Sequence, residues 1–331
     1  MRASSAMVLA MVAGACDRGP SDAELERLRT EVTSANAAAL VAAAARAGSA
    51  ADNLGRTLTI SGQLGAPGAT LAWPELERLA TTTITTMDVQ QPARTTPIVF
   101  RGVAVRDLLD RFHASPGATE VTAVSIDGFR ATFAAADARA HPVLLAIEAD
   151  GAPIPQARGG PIYLVYPDDL HSAYIDRFWA FYVTDLVVGT EPAHLDVAGH
   201  ALDAAALAAL PTRARDGNVG FHVEWPAGDV HLRGVDLAAA IAAAGVALPP
   251  HGHVVVHGKA FANDDPKSPV SIAVDDLAAC RPLLAMQTGA DDHPITARFG
   301  GPIALALEPC GARYASSRYW VTFVQRIEVA P

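Results

Sequence analysis

Val105, Leu108, Leu109 and Phe112 stand at i, i+3, i+4 and i+7, and Leu237, Ala240, Ile241 and Ala244 repeat that spacing 132 residues later. Each set draws one apolar stripe along a helix, and such a stripe must be packed against a sheet or a second helix. Ile162 to Tyr166 and Ile303 to Leu307 are near-continuous apolar runs, which predict strands buried on both faces. Both runs follow Gly-Gly-Pro, at Gly159–Pro161 and at Gly300–Pro302. Glycine accepts positive φ without steric cost, and proline is tolerated at the first position of a strand. The motif therefore has a structural reading that needs no ligand.

Further features recur in the same order. Trp179 and Trp320 are 141 residues apart, as are Gly160 and Gly301, and the Leu-Leu-Ala endings at Ala146 and Ala285 are 139 apart. Small loop insertions account for the drift, so the chain reads as a duplicated domain. Each copy runs from a short strand to a helix ("WPELERLA", "LDAAALAAL") and then to a β-prone run ("TTTITTMDV", "VGFHVEW"). An Arg-Gly-Val helix, a strand ("VTAVSI", "HVVVHG"), the Gly-Gly-Pro strand and a terminal strand bearing the tryptophan follow. Several strands with two helices per copy predict an α+β class, with domains over 57–190 and 191–331.

Ahead of them, residues 1–16 have the arginine, apolar run and small residues of an export signal ending at Cys16, in the manner of a bacterial lipoprotein. Residues 17–56 read as an N-terminal helical spacer and linker, because Ser21 and Glu24 have capping-box spacing. These features place the protein on the periplasmic side of a bacterial membrane, lipid-anchored through Cys16. With 331 residues, 50% hydrophobic and 18% charged, the chain suits a folded protein. The net charge of −10 argues against a nucleic-acid partner, since no Lys/Arg cluster neutralises phosphate.

The stretches "FRGVAVRDLLDRF", "VSIDGFRATF", "LLAIEADGAPIPQARGGPIYLVYP" and "YIDRFWAFYVTDLVV" resemble the molybdopterin-binding domain of the sulfite oxidase family. Asp127-Gly128-Phe129 and the Gly151 to Pro155 segment carry the resemblance most specifically. It implies two sulfite-oxidase-like domains in tandem, and it implies an oxidoreductase with a molybdenum cofactor. In catalytic members of the family a cysteine thiolate ligates the metal from a strand shortly before the Gly-Val helix, a soft donor suited to molybdenum. Neither copy has a cysteine there: Met87 lies near the place in the first, His222 in the second. Tyr163 and Ala304 occupy positions where an arginine for the pterin phosphate would be sought, and Arg2 has no second arginine to make a twin-arginine export signal.

These departures lead us to expect no cofactor and no catalytic residue, and a binding or scaffold subunit with a protein partner near a membrane redox system. The alternatives are a molybdopterin-dependent oxidoreductase with atypical ligation and a histidine-based metal binder using His251, His253 and His257, which share one strand parity. Cys280 and Cys310 are expected to form a disulfide. By the repeat they fall on His141 and Asp169, so those two residues should be neighbours. The polar connection carrying Asp168, Asp169, His171, Tyr174 and Asp176 is the candidate recognition loop.

Overall fold

The computed structural model describes residues 56–331, except 92–93, 176–177, 219–224, 226–227, 260–268, 308–313 and 315–319. The export-type segment with Cys16, the spacer helix, Asp176, His222 and Cys310 lie outside the described residues.

The first half of the chain contributes β1 (Thr57–Gly62), β2 (Ala69–Ala72), α1 (Trp73–Leu79), β3 (Thr82–Thr86), β4 (Ile98–Ala104), α2 (Val105–Arg111) and β5 (Glu120–Ser125). It continues through β6 (Arg130–Ala134), α3 (Ala135–Ala140), β7 (Leu144–Ala149), β8 (Ala152–Pro153), β9 (Tyr163–Val165) and β10 (Val183–Val188). One sheet has the order β2-β1-β10-β5-β6, with β1 and β10 parallel and the other neighbours antiparallel. The other runs β3-β4-β7-β8, with β9 also paired to β7.

The second half repeats this arrangement. Its elements are β11 (His194–Val197), β12 (His200–Asp203), α4 (Ala204–Ala208), β13 (Thr212–Asn218), β14 (Asp229–Asp236), α5 (Leu237–Ala243) and β15 (His253–Gly258). Then come β16 (Val270–Ala273), α6 (Leu277–Cys280), β17 (Leu283–Thr288), β18 (His293–Pro294), β19 (Ala304–Ala306) and β20 (Val324–Ala330). The strand orders are β12-β11-β20-β15-β16 and β13-β14-β17-β18, with β19 on β17. Even a β-bulge recurs, at Arg101/Gly102 and at Arg233/Gly234.

The apolar stripes do what their spacing predicts. Val105, Leu108, Leu109 and Phe112 are buried on the first-half core, and Leu237, Ala240 and Ile241 on the second, with Ala244 half-buried. Strands β9 and β19 are buried at every position, which explains their continuous apolar sequence.

The Gly-Gly-Pro turns are set by close packing. Gly159 has φ 88°, and a Cβ there would stand 1.9 Å from Cδ1 of Phe181. A Cβ on Gly160 would stand 1.9 Å from the carbonyl oxygen of Ile154. Gly300 and Gly301 meet the same restriction from Thr322 and Ile295. The Gly160–Pro161 and Gly301–Pro302 peptide bonds are both cis.

One expectation falls outside the described residues and one is corrected. The strand anticipated at "VGFHVEW" covers residues 219–225, of which the structure describes only Trp225; ahead of it stands β13, whose sequence is TRARDGN. Among the described strands β13 stands at the edge of its sheet beside β14, so it needs no apolar alternation, and polar residues protect such an edge. Trp179 and Trp320 lie ahead of the terminal strands rather than within them. Tyr182 and Phe323, with φ 50° and 52°, stand in the left-handed region just before β10 and β20, and an extended strand does not continue through that conformation.

Candidate functional site

Strand β3 ends at Thr86, which is fully buried. Its hydroxyl donates to Asp168 Oδ1 at 2.6 Å, and the Met87 backbone N–H donates to the same oxygen at 3.1 Å. His171 Nε2 lies 2.9 Å from Thr86 Oγ1 and 3.2 Å from the Tyr166 carbonyl. With the single hydroxyl hydrogen directed at Asp168, Nε2 must carry the hydrogen that reaches these two oxygens. The Thr86 hydroxyl, then the Met87 N–H and the nearby His171, hold the Asp168 carboxyl below its ordinary range.

The next residues occupy the place where the family resemblance looks for a thiolate. Met87 is half-buried and Asp88 is 5% exposed. Asp88 Oδ1 accepts from the Tyr163 hydroxyl at 3.0 Å and from the Gln90 N–H at 2.9 Å, and Oδ2 accepts from Gln91 Nε2 at 2.5 Å. A buried carboxylate is tolerable only when donors satisfy it in this way. Tyr163 sits on β9 and turns its hydroxyl inward; burial, reinforced by the Asp88 charge, pushes that phenol far above its usual range. Gln91 is in turn reached by Arg158 at 3.2 Å.

Beside this network lies a cavity of about 380 Å3, lined by Gln90, Ser125, Asp127, Phe129, Trp179, Phe181 and Tyr182. Ser125 ends β5, is 3% exposed, and its hydroxyl has no hydrogen-bond partner among the described residues. Asp127 is exposed at the rim, and its Oδ1 accepts from the Phe129 N–H at 3.0 Å. Burial raises the Tyr182 phenol above its usual range, and the Asp127 charge adds to that shift. Left-handed φ at Tyr182 sets the direction of its ring, a strained choice for an aromatic residue.

The candidate loop residues are fastened to the scaffold. Asp168 is tied to the end of β3, and Asp169 Oδ2 lies 2.7 Å from His141 Nδ1, the proximity that the repeat predicts. Tyr174 is buried and stacks on Tyr166 with ring centroids 4.7 Å apart. Its hydroxyl donates to Asp137 Oδ2 and accepts from the Ala134 N–H, while burial pushes its pKa up to about 12.

The three histidines do not converge. His253 begins β15, whereas His251 stays outside it with φ 57°. His251 faces Asp275, His253 faces Ser271 and His257 faces Glu328, each with its own partner. Among the described residues, no group of three His, Cys, Asp or Glu side chains is arranged to hold a metal ion. Cys280 is buried at the end of α6, and its expected partner Cys310 lies outside the described residues.

These residues do not fit a molybdenum pterin. The position near the expected ligand carries a thioether, and the adjacent carboxylate is already satisfied by Tyr163, Gln90 and Gln91. Among the described residues lining the cavity there is a carboxylate and no cation, so a phosphate would meet repulsion there. Asp88, Tyr163, Ser125 and Tyr182 were not singled out as site residues from sequence. Only the Asp-Gly-Phe motif and the departure at position 163 pointed to their neighbourhood.

Comparison with known proteins agrees with the fold. The family described as oxidoreductase molybdopterin binding domain matches residues 50–172. No curated protein matches the chain. Among solved structures, the sulfane dehydrogenase SoxCD from Paracoccus pantotrophus is 14% identical, with 82% of this chain and 78% of that chain covered and a TM-score of 0.35. The resemblance to a molybdopterin-binding oxidoreductase domain read from the motifs therefore holds for residues 50–172, and the sheets and helices bear out the α+β class.

Proposed function

We propose that the protein is a non-catalytic, cofactor-free binding subunit that retains the molybdopterin-oxidoreductase fold. The observation that carries this reading is the network at the end of β3, where Asp88 is buried against Tyr163 beside Met87. A thiolate would be needed there for the family's metal chemistry, and the buried Asp88 carboxylate, held by the Tyr163 hydroxyl, is a charge that repels an anionic pterin. The match to residues 50–172 favours the competing reading, a pterin-dependent oxidoreductase with atypical ligation. The donor chemistry of Met87 and Asp88 weighs against it.

The same reading places the mature chain outside the cytoplasmic membrane, held by a lipid on Cys16 and working beside a redox partner protein. Its support is the sequence of residues 1–16. No helix among the described residues is long and apolar enough to cross a membrane. Reconstitution tests the cofactor reading: the purified protein is incubated with molybdopterin cofactor released from another enzyme and then desalted. Loss of the pterin fluorescence on desalting supports the reading, and its retention with the protein overturns it. A Cys16→Ser variant should leave the membrane fraction, and a variant that stays bound would refute the lipid anchor.

A further inference from the structure

Among the described residues, the cavity beside Asp88 is lined by a carboxylate and no cation, and by a hydroxyl with no hydrogen-bond partner. Four aromatic residues, Phe129, Trp179, Phe181 and Tyr182, contribute to its wall. The Asp127 carboxylate stands at the rim, and the amide of Gln90 adds a further polar group. Ser125 lines it while 3% exposed, and a buried hydroxyl without a partner is costly unless a ligand supplies one. Aromatic faces combined with a carboxylate attract an organic cation rather than an anion.

The second half of the chain shows what such a wall accepts. Counting 141 residues on, Phe181 and Tyr182 correspond to Thr322 and Phe323, and Ser125 pairs with Val183 as Gly258 pairs with Val324. Against that second wall the chain places its own guanidinium. Arg130 is 5% exposed, and its guanidinium carbon lies 5.7 Å from the centroid of the Phe323 ring. Its Nε–H donates to the Arg298 carbonyl at 3.0 Å, and Nη1 reaches Thr322 Oγ1 at 3.4 Å. Phe323 shares the left-handed φ of Tyr182, so the two rings are presented by the same backbone device.

We infer that the first-half cavity is a binding site for a guanidinium group, held between its aromatic wall, the Asp127 carboxylate and the Ser125 hydroxyl. A planar guanidinium matches this set better than a quaternary ammonium does, because it stacks on a ring while its N–H groups donate to a carboxylate and a hydroxyl. The guanidinium belongs either to a small metabolite or to an arginine side chain of a partner protein; the recognising chemistry is the same. The inference rests on the cofactor-free reading of this site, since a bound pterin would compete for the space.

Calorimetric titration of the intact purified protein tests it, with agmatine as the small guanidinium probe and a short peptide carrying one arginine as the other. Saturable one-to-one binding of either probe is expected, and whichever binds identifies the source. Asp127→Asn should weaken it by about threefold to tenfold, less at high salt because the carboxylate is at an exposed rim. Ser125→Ala should weaken binding with no fall in melting temperature. Absence of saturable binding, equal binding of tetramethylammonium, or binding unchanged in both variants overturns the inference. Pterin released on denaturing the same preparation would instead overturn the cofactor-free reading beneath it, so the two failures are distinguishable.

Discussion

Lys259 Nζ lies 2.6 Å from Asp185 Oδ1, joining the residue after β15 to the middle of β10, and the two side chains are 12% and 7% exposed. Glu191 stands 3.7 Å from the same ammonium, and Thr184 donates to the other Asp185 oxygen at 2.8 Å. Neither charge stays in water, and Lys259 is the cation that compensates Asp185, with Glu191 beside it. Removing Lys259 leaves the buried carboxylate uncompensated. Lys259→Ala should destabilise the protein by about 3 kcal/mol, read as a shift in the denaturation midpoint. A Lys259→Met, Asp185→Asn double variant should recover part of that loss. A single variant as stable as the parent would show that the pair holds nothing together.

Asp168 should govern part of the acid limb of stability. The Thr86 hydroxyl, with the Met87 N–H and His171, holds its carboxyl below the ordinary value of 3.8 in the fold. A depressed carboxylate contributes stability that is complete above its unfolded value and is lost as pH falls through the lower folded one. Asp168→Asn should therefore cost about 1 kcal/mol at neutral pH, a modest figure because the side chain is largely exposed. The two melting curves should converge as pH drops below the folded value. Parallel curves across the whole range would contradict this role.

Gly160→Ala should be among the most damaging single-atom additions. Its Cβ would stand 1.9 Å from the Ile154 carbonyl oxygen, a backbone atom that cannot rotate away. A loss of about 2 kcal/mol or more is expected in denaturant unfolding. The same change at Gly301, where the contact is 1.8 Å to Ile295, should cost a similar amount. Tolerance at both sites would remove the packing explanation of the motif.

His141 and Asp169 are in contact at the positions that correspond by the repeat to Cys280 and Cys310. We therefore predict a Cys280–Cys310 disulfide. A non-reduced digest should yield one linked peptide containing both, and reduction should lower stability by about 3 kcal/mol for a loop of this length. Alkylation of both thiols in the unreduced protein would refute the bridge.

Periodicity served the sequence reading best where one face of an element is buried. The stripes at Val105 to Phe112 and Leu237 to Ala244 announce their helices, because an amphipathic helix must be written at that spacing. Strand β13 announces nothing, since an edge strand can be polar throughout. The site was harder to read for a different reason. Asp88 and Tyr163 are 75 residues apart and meet only because β3 and β9 both reach the same core, and local pattern does not report that juxtaposition. Left-handed φ at Tyr182 and Phe323 was equally hidden, because aromatic residues rarely adopt it and no glycine marks the place.

The central claim is that the retained fold no longer holds the family's metal cofactor, and the molybdenum-to-protein ratio tests it most directly. The protein should be purified from its own host under native conditions and assayed by mass spectrometry for molybdenum, with oxidised pterin measured by fluorescence in the same sample. The account predicts neither molybdenum nor pterin in stoichiometric amount. Molybdenum in one-to-one ratio with the chain, accompanied by pterin, would contradict it.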